Sequence, residues 1–155
     1  MPRPGVSTVG VTFGYGIEET AGTKPATFTQ LTRINSIGEL GIERDQIDAS
    51  ALEDELTKYI AGRGDTGGNV PVTVNATDET ITEWETLISA YQIAKAAGKG
   101  VWFQTITPDL TKSFFFIAEP PTKIPQPSFD QNGLLTIGMP LIVNEYKGLD
   151  AKVAF

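Results

Sequence analysis

Apolar residues along this chain follow a two-residue repeat in most places and a helical repeat in one. Val70, Val72 and Val74 alternate with other residues, as in a half-buried strand, whereas apolar residues between 81 and 94 recur at i, i+3, i+4 and i+7. Thr80 and Glu83 are spaced as a capping box at the start of that helical segment. The pattern predicts a mainly β protein, a sandwich or barrel of about seven or eight strands, with one flanking α-helix at about 80–97.

Turn residues divide the remainder into short strands. We predict one hairpin from 31–37 and 40–47, and a second from 101–107 and 112–118 around a proline-containing turn. A proline-rich connector over 119–132 precedes a last strand over 134–146. The glycines and prolines of 1–25 indicate an N-terminal arm with one short strand outside the core. At 155 residues, we expect a single domain over 1–155.

The segment from Ile47 to Gly68 fits regular secondary structure least well. It contains the acidic run Glu53-Asp54-Glu55 and ends in a glycine-rich stretch, so we predict a long loop over about 47–68. A compact domain seldom carries such a long irregular segment without a use for it. The pattern therefore indicates a functional loop.

Charge and composition exclude several function classes. The chain has 12 Lys and Arg against 19 Asp and Glu, and twelve of the acids lie between Glu39 and Glu85. Such an acidic block repels polyanions, which argues against direct nucleic-acid recognition. The chain contains no cysteine and no histidine, so thiol catalysis, histidine-based triads and Cys or His metal sites are excluded. No apolar run is long enough to span a bilayer, and we expect no membrane partner.

Carboxylates are the remaining chemical groups to consider. Asp48 with the run Glu53–Glu55 offers oxygen ligands for a hard cation such as calcium, but the spacing of an EF-hand is missing. A solvated acidic face accounts for the same residues. Paired acids for glycoside hydrolysis are a further alternative, although any chain with 19 acids offers such pairs by coincidence.

Taken in order, several segments resemble phage tail tube proteins, of the major tail protein kind found in long non-contractile tails of siphovirus-type phages. The resemblance covers nearly the whole chain: MPRPGVSTVGVTFGYG, RINSIGELGIERDQID, IDASALEDELTKYIAGRGDTGGNVPVTVN, the helix ending in AAGKG, and VWFQTITPD. It implies a structural virion protein without catalysis, cofactor or metal. Hexameric rings would stack into a hollow tube that conducts DNA during ejection without binding it specifically.

The resemblance also implies partners and residue roles. The partners would be further copies of the chain, a tape measure protein, a tail terminator and tail assembly chaperones, with assembly in the host cytoplasm and residence in the phage tail. The segment 47–68 would reach neighbouring subunits. The implied inter-subunit residues are Asp48, Ser50, Leu52, Asp54, Tyr59 and Arg63, and the implied lumen-facing residues are Glu39, Glu43 and Asp45.

The sequence is also compatible with other functions. The inner tube protein of a type VI secretion or contractile injection system would share the same fold. A virion decoration or carbohydrate-binding β-sandwich would need an exposed aromatic platform, whereas Trp84 and Trp102 fit buried positions. A carboxylate enzyme would need two acids converging in a pocket.

Overall fold

The computed structural model describes residues 5, 7–41, 43–53, 55–56, 58–65 and 68–155, and within this part the side chains of 43–45, 60 and 62–65 are left out. The described residues form nine strands and one helix, which confirms the mainly β prediction. In chain order they are β1 (Thr12–Ile17), β2 (Thr29–Leu31), β3 (Ile34–Ile37), β4 (Glu43–Asp48), β5 (Tyr59–Asp65), β6 (Asn69–Asn75), α1 (Asp78–Ala96), β7 (Val101–Ile106), β8 (Lys112–Glu119) and β9 (Thr136–Ala151).

Seven strands form one antiparallel sheet that curls on itself. Its order is β2-β1-β7-β8-β9-β6-β3, so β2 and β3 are its two edges. Yet only Thr32 and Arg33 separate these strands in the chain, and so short a link spans roughly 10 Å. The two edges must therefore lie close together, which rolls the sheet into a barrel-like body and fits the predicted β-sandwich or barrel.

The core fills the inside of this rolled sheet. The ring of Phe103 stacks between those of Phe13 and Phe116, with centroid separations of 5.6 and 5.5 Å. Trp84 and Leu87 of α1 belong to the same buried cluster, and neither is exposed to solvent. The helix thus covers the core from one side, as its apolar spacing predicts.

The helix begins one turn earlier than its capping pattern predicts. Thr77 is the N-cap, and it exchanges hydrogen bonds with Thr80: the Thr80 N–H donates to Thr77 Oγ1 at 3.2 Å and the Thr77 N–H to Thr80 Oγ1 at 2.9 Å. The predicted capping box of Thr80 and Glu83 is therefore wrong. Glu83 instead accepts hydrogen bonds from Thr32, in the link between β2 and β3.

Three other sequence predictions need correction, because strand pairing depends on tertiary contacts between distant segments. The 31–37 segment does not form a hairpin with 40–47, since β3 pairs with β6 and β4 pairs with β5. The predicted loop 47–68 is too long, since β4 extends to Asp48 and β5 covers Tyr59–Asp65, and the described residues without strand structure between them lie in 49–58. The strand of the N-terminal segment is not outside the core, because β1 lies between β2 and β7 with Phe13 and Tyr15 buried.

The last part of the chain follows the prediction more closely. β7 and β8 form the expected hairpin, and the Leu110 N–H donates to the Thr107 carbonyl in its turn. No strand occurs in the proline-rich connector 120–135. β9 then pairs with both β8 and β6, with register shifts against β8 that leave Asn144 and Lys147 unmatched as bulges.

Candidate assembly surface

β4 and β5 form a hairpin that stands apart from the rolled sheet. Among the described residues they pair only with each other, as a separate two-stranded sheet, with Asp48 opposite Tyr59 at the distal end. We call residues 43–65 the hairpin and residues 49–58 its tip. A lone two-stranded hairpin is marginally stable in water, so this element gains from contact with another surface.

Short-range hydrogen bonds shape the tip. The Ser50 N–H donates to Asp48 Oδ1 at 2.9 Å, and the Lys58 N–H donates to Ser50 Oγ at 2.7 Å. The Ala49 N–H donates to the Lys58 carbonyl at 2.8 Å, which continues the ladder one residue past β4. The Ser50 N–H first, and its hydroxyl second, hold the pKa of Asp48 below its usual range. Asp48 and Ser50 therefore order the tip locally.

Apolar side chains on the hairpin face solvent. Leu52 is fully exposed, Leu56 is 80% exposed, Tyr59 59% and Ile47 48%. Exposed Glu53 and Glu55 lie between the two leucines in the chain. Single exposed apolar residues are ordinary, but four on one projecting element are typical of a surface that a partner covers.

The structure places the predicted site residues in several environments. Asp48, Ser50, Leu52 and Tyr59 come together at or near the tip, while Asp54 lies outside the described residues. Arg63, Glu43 and Asp45 belong to the strands of the hairpin, but their side chains are outside the description, and Glu39 is exposed between β3 and β4. The inter-subunit and lumen-facing roles of these residues stay predictions.

Sequence reasoning missed Leu56 and Ile47. The available signal was the pattern Leu52-Glu53-Asp54-Glu55-Leu56, in which two leucines flank an acidic run. Exposed leucines in so polar a turn depart from the usual apolar-in, polar-out pattern, and this departure is the signal that singles them out.

A groove opens at one end of the rolled sheet. It consists of two adjoining cavities of about 610 and about 490 Å³ that share Val11, Phe13 and Ile34 as walls. Phe114, which is 37% exposed, forms part of the larger cavity, and Arg33 and Glu79 line the smaller one. The remaining apolar walls of the larger cavity include Ile37, Leu40, Val70, Phe116 and Tyr146.

The described residues were also considered as ligands for a metal ion and as a membrane-spanning helix. No group of three or more carboxylates among the described residues is arranged to hold a metal ion. The hypothesis of a calcium site at Asp48 and Glu53–Glu55 is therefore not supported by the described residues. No helix there is both long and apolar enough to cross a membrane.

Comparisons with known proteins bear on the fold. No family model matches the sequence, and no curated protein matches it. Among solved structures, a chain in the cryo-EM structure of the anti-feeding prophage baseplate, 6-fold symmetrised, aligns with a TM-score of 0.50. The alignment covers 95% of this chain and 96% of that one, at 14% sequence identity. This chain shares its fold with that baseplate chain. At such identity the likeness concerns the path of the backbone and transfers no residue roles.

Proposed function

We propose that this protein is a structural subunit of a phage-tail-related particle, in which six copies form a ring and rings stack into a hollow tube. The hairpin carries the proposal, because Leu52 and Leu56 are exposed and neither packs against the hydrophobic core clusters of the described residues. The fold shared with a chain of a 6-fold symmetrised baseplate supports six as the ring number. In this role the protein has no catalytic step and resides in the particle.

The hairpin would join copies in a head-to-tail manner. The tip of one copy would contact a different surface on the next copy, so the contact is heterologous. Heterologous contacts produce a closed ring when the rotation between copies closes, and an open filament when it does not. Burial of one exposed leucine contributes about 2 kcal/mol, so two leucines per contact and six contacts per ring add a substantial favourable term.

The lumen is the second part of the proposal. We place Glu39, Glu43 and Asp45 on the wall of the channel, with Glu39 exposed at the root of the hairpin. A wall of like charge repels the phosphate backbone, so DNA would pass without specific binding. The tape measure protein, tail terminator and assembly chaperones would be partners of the same tube.

A second candidate is the inner tube of a contractile injection system. The similarity to a chain in the anti-feeding prophage baseplate favours it over the siphovirus-type tail. The two differ in their surroundings, because a contractile tube is enclosed by a sheath. Isolation of the native particle would separate them: sheath subunits around the tube identify the injection system, and a bare tube identifies the long non-contractile tail.

Negative-stain electron microscopy and light scattering of the purified chain test the proposal. We expect six-fold rings or tubes that increase with protein concentration. A chain that stays monomeric at every concentration would contradict the proposed function.

The hairpin is tested by shortening it without changing its register. Replacing residues 50–57 by Asn-Gly connects Ala49 to Lys58, which already share a ladder hydrogen bond, through a two-residue turn suited to hairpins. We expect a folded monomer by far-UV circular dichroism that no longer forms rings. The full-length chain is the control, and normal rings from the shortened variant would remove the tip from the assembly.

A further inference from the structure

We propose that the groove at the end of the rolled sheet is the receptor for the hairpin tip of a second copy of this chain. This inference rests on the proposed function and names the two surfaces that meet in it. It assigns Leu52 and Leu56 to the inserted side and the Phe114 wall to the receiving side.

The hairpin tip lies a full strand length from the groove of its own chain. Leu40 lines the groove, and β4 begins three residues later at Glu43. The six residues of β4 span about 20 Å at roughly 3.3 Å per residue. Pairing with β5 keeps this strand extended, so the tip is held far from its own groove and is available to another copy.

The two surfaces match in polarity and size. The larger cavity is walled mainly by aliphatic and aromatic side chains, and Phe114 stays 37% exposed there although Phe116, two residues along the same strand, is buried. Pockets of about 300–1,000 Å³ accommodate a drug-sized ligand, so a cavity of about 610 Å³ has room for two leucine side chains. Insertion would remove both exposed apolar surfaces from water at once.

The charges at the two surfaces are also complementary. Arg33 lines the smaller cavity and has no ion-pair partner among the described residues. Lys152 Nζ donates to the carbonyl of Thr107, which lines the larger cavity, at 2.9 Å, so this cation lies near the groove. Glu79 is the one carboxylate among the described residues that line the two cavities. The tip presents exposed Glu53 and Glu55 beside its leucines. Opposite charges of this kind orient the tip and exclude the reverse orientation.

Cysteine pairing tests the contact directly, because the chain contains no cysteine of its own. Leu56→Cys is prepared separately from Ser36→Cys, a nearly isosteric change at an exposed position in the groove wall, and the two are mixed under mild oxidation. Ser89→Cys, exposed on α1, is the matched control for Ser36→Cys. We expect the yield of the 56–36 disulfide dimer to exceed that of the 56–89 dimer by at least about tenfold. Binding of the tip in the groove would raise the local thiol concentration toward millimolar.

A charge exchange gives an independent readout. Arg33→Glu and the pair Glu53→Arg with Glu55→Arg should each lower the yield of the 56–36 dimer, and combining them across the two partners should restore it. Rings that form normally without a preferred 56–36 dimer would overturn the groove as receptor and leave the proposed function standing. A wild-type chain that never assembles would overturn both.

Discussion

The contact between Glu83 and Thr32 closes the rolled sheet, and its removal should be measurable. Glu83 Oε2 accepts from the Thr32 N–H at 2.8 Å, and Glu83 Oε1 accepts from the Thr32 hydroxyl at 2.7 Å. Thr32 begins the two-residue link between the sheet edges, and Arg33 completes it in the left-handed region, at φ 56°. The carboxylate therefore holds the one connection that brings β2 next to β3.

Glu83→Ala removes both acceptors and leaves the partly buried Thr32 N–H unpaired. A hydrogen bond to a charged group contributes about 1.5–3 kcal/mol, and partial solvent access reduces each, so we expect a loss of about 2–3 kcal/mol in the free energy of unfolding. Glu83→Gln keeps one acceptor oxygen and should lose about half as much. In urea, with an m-value of about 2 kcal/mol/M, the alanine variant should shift the midpoint down by about 1 M.

Glu85→Ala is the control, because Glu85 lies on the same helix, is exposed, and should change stability by less than about 0.5 kcal/mol. Unfolding is followed by circular dichroism at a protein concentration at which the chain is monomeric. A second readout is Tyr15, whose pKa is raised by burial and, to a smaller extent, by the Glu83 charge. Glu83→Ala should lower that pKa part of the way toward its ordinary value. Equal urea midpoints for the Glu83 and Glu85 variants would refute the reasoning.

Two further predictions concern the C-terminal segment and an alkaline titration. Gln104 is fully buried and clamps Val153, donating from Nε2 to its carbonyl at 2.8 Å and accepting from its N–H at 3.0 Å. Gln104→Leu should lose about 2 kcal/mol in urea unfolding, since two backbone groups lose their partners, and a loss below about 0.5 kcal/mol would contradict this. Burial first, and a hydrogen bond with Glu119 second, raise the pKa of Tyr91 to about 12. Because this value exceeds the unfolded value near 10, the associated stability is present below about pH 10 and is lost as pH rises through 12. Tyr91→Phe should remove that alkaline component, and absorbance at 295 nm should show one fewer late-titrating tyrosine; an unchanged titration would refute the assignment.

Local chemistry was enough to predict the elements that depend on neighbours in the chain. The helix follows from apolar residues at helical spacing between 81 and 94, and the β7–β8 hairpin follows from the turn at Pro108 and Asp109, because both patterns act within a few residues. At the candidate site, local chemistry marks only the segment 47–68 as unusual, and the resemblance to phage tail tube proteins implies Asp48, Ser50, Leu52 and Tyr59 within it. The structure places these residues at or near the end of the hairpin, and their inter-subunit role stays a prediction.

Contacts between distant segments decided the rest. β3 and β4 are adjacent in sequence and both favour strands, yet β3 pairs with β6 and β4 with β5, a choice that depends on which edges the rolled sheet leaves open. Glu83 fits a local cap by spacing but reaches Thr32, because the helix lies over the sheet edge. The larger cavity of the groove combines residues of β1, β3, β6, β7, β8 and β9, and because these residues are far apart in the chain, no local sequence pattern predicts it. Sequence alone therefore determined the apolar alternation, the helix and the unusual acidic segment. Only the tertiary structure shows that this segment forms a separate hairpin near a groove. The reason is that strand pairing depends on burial over the whole sheet.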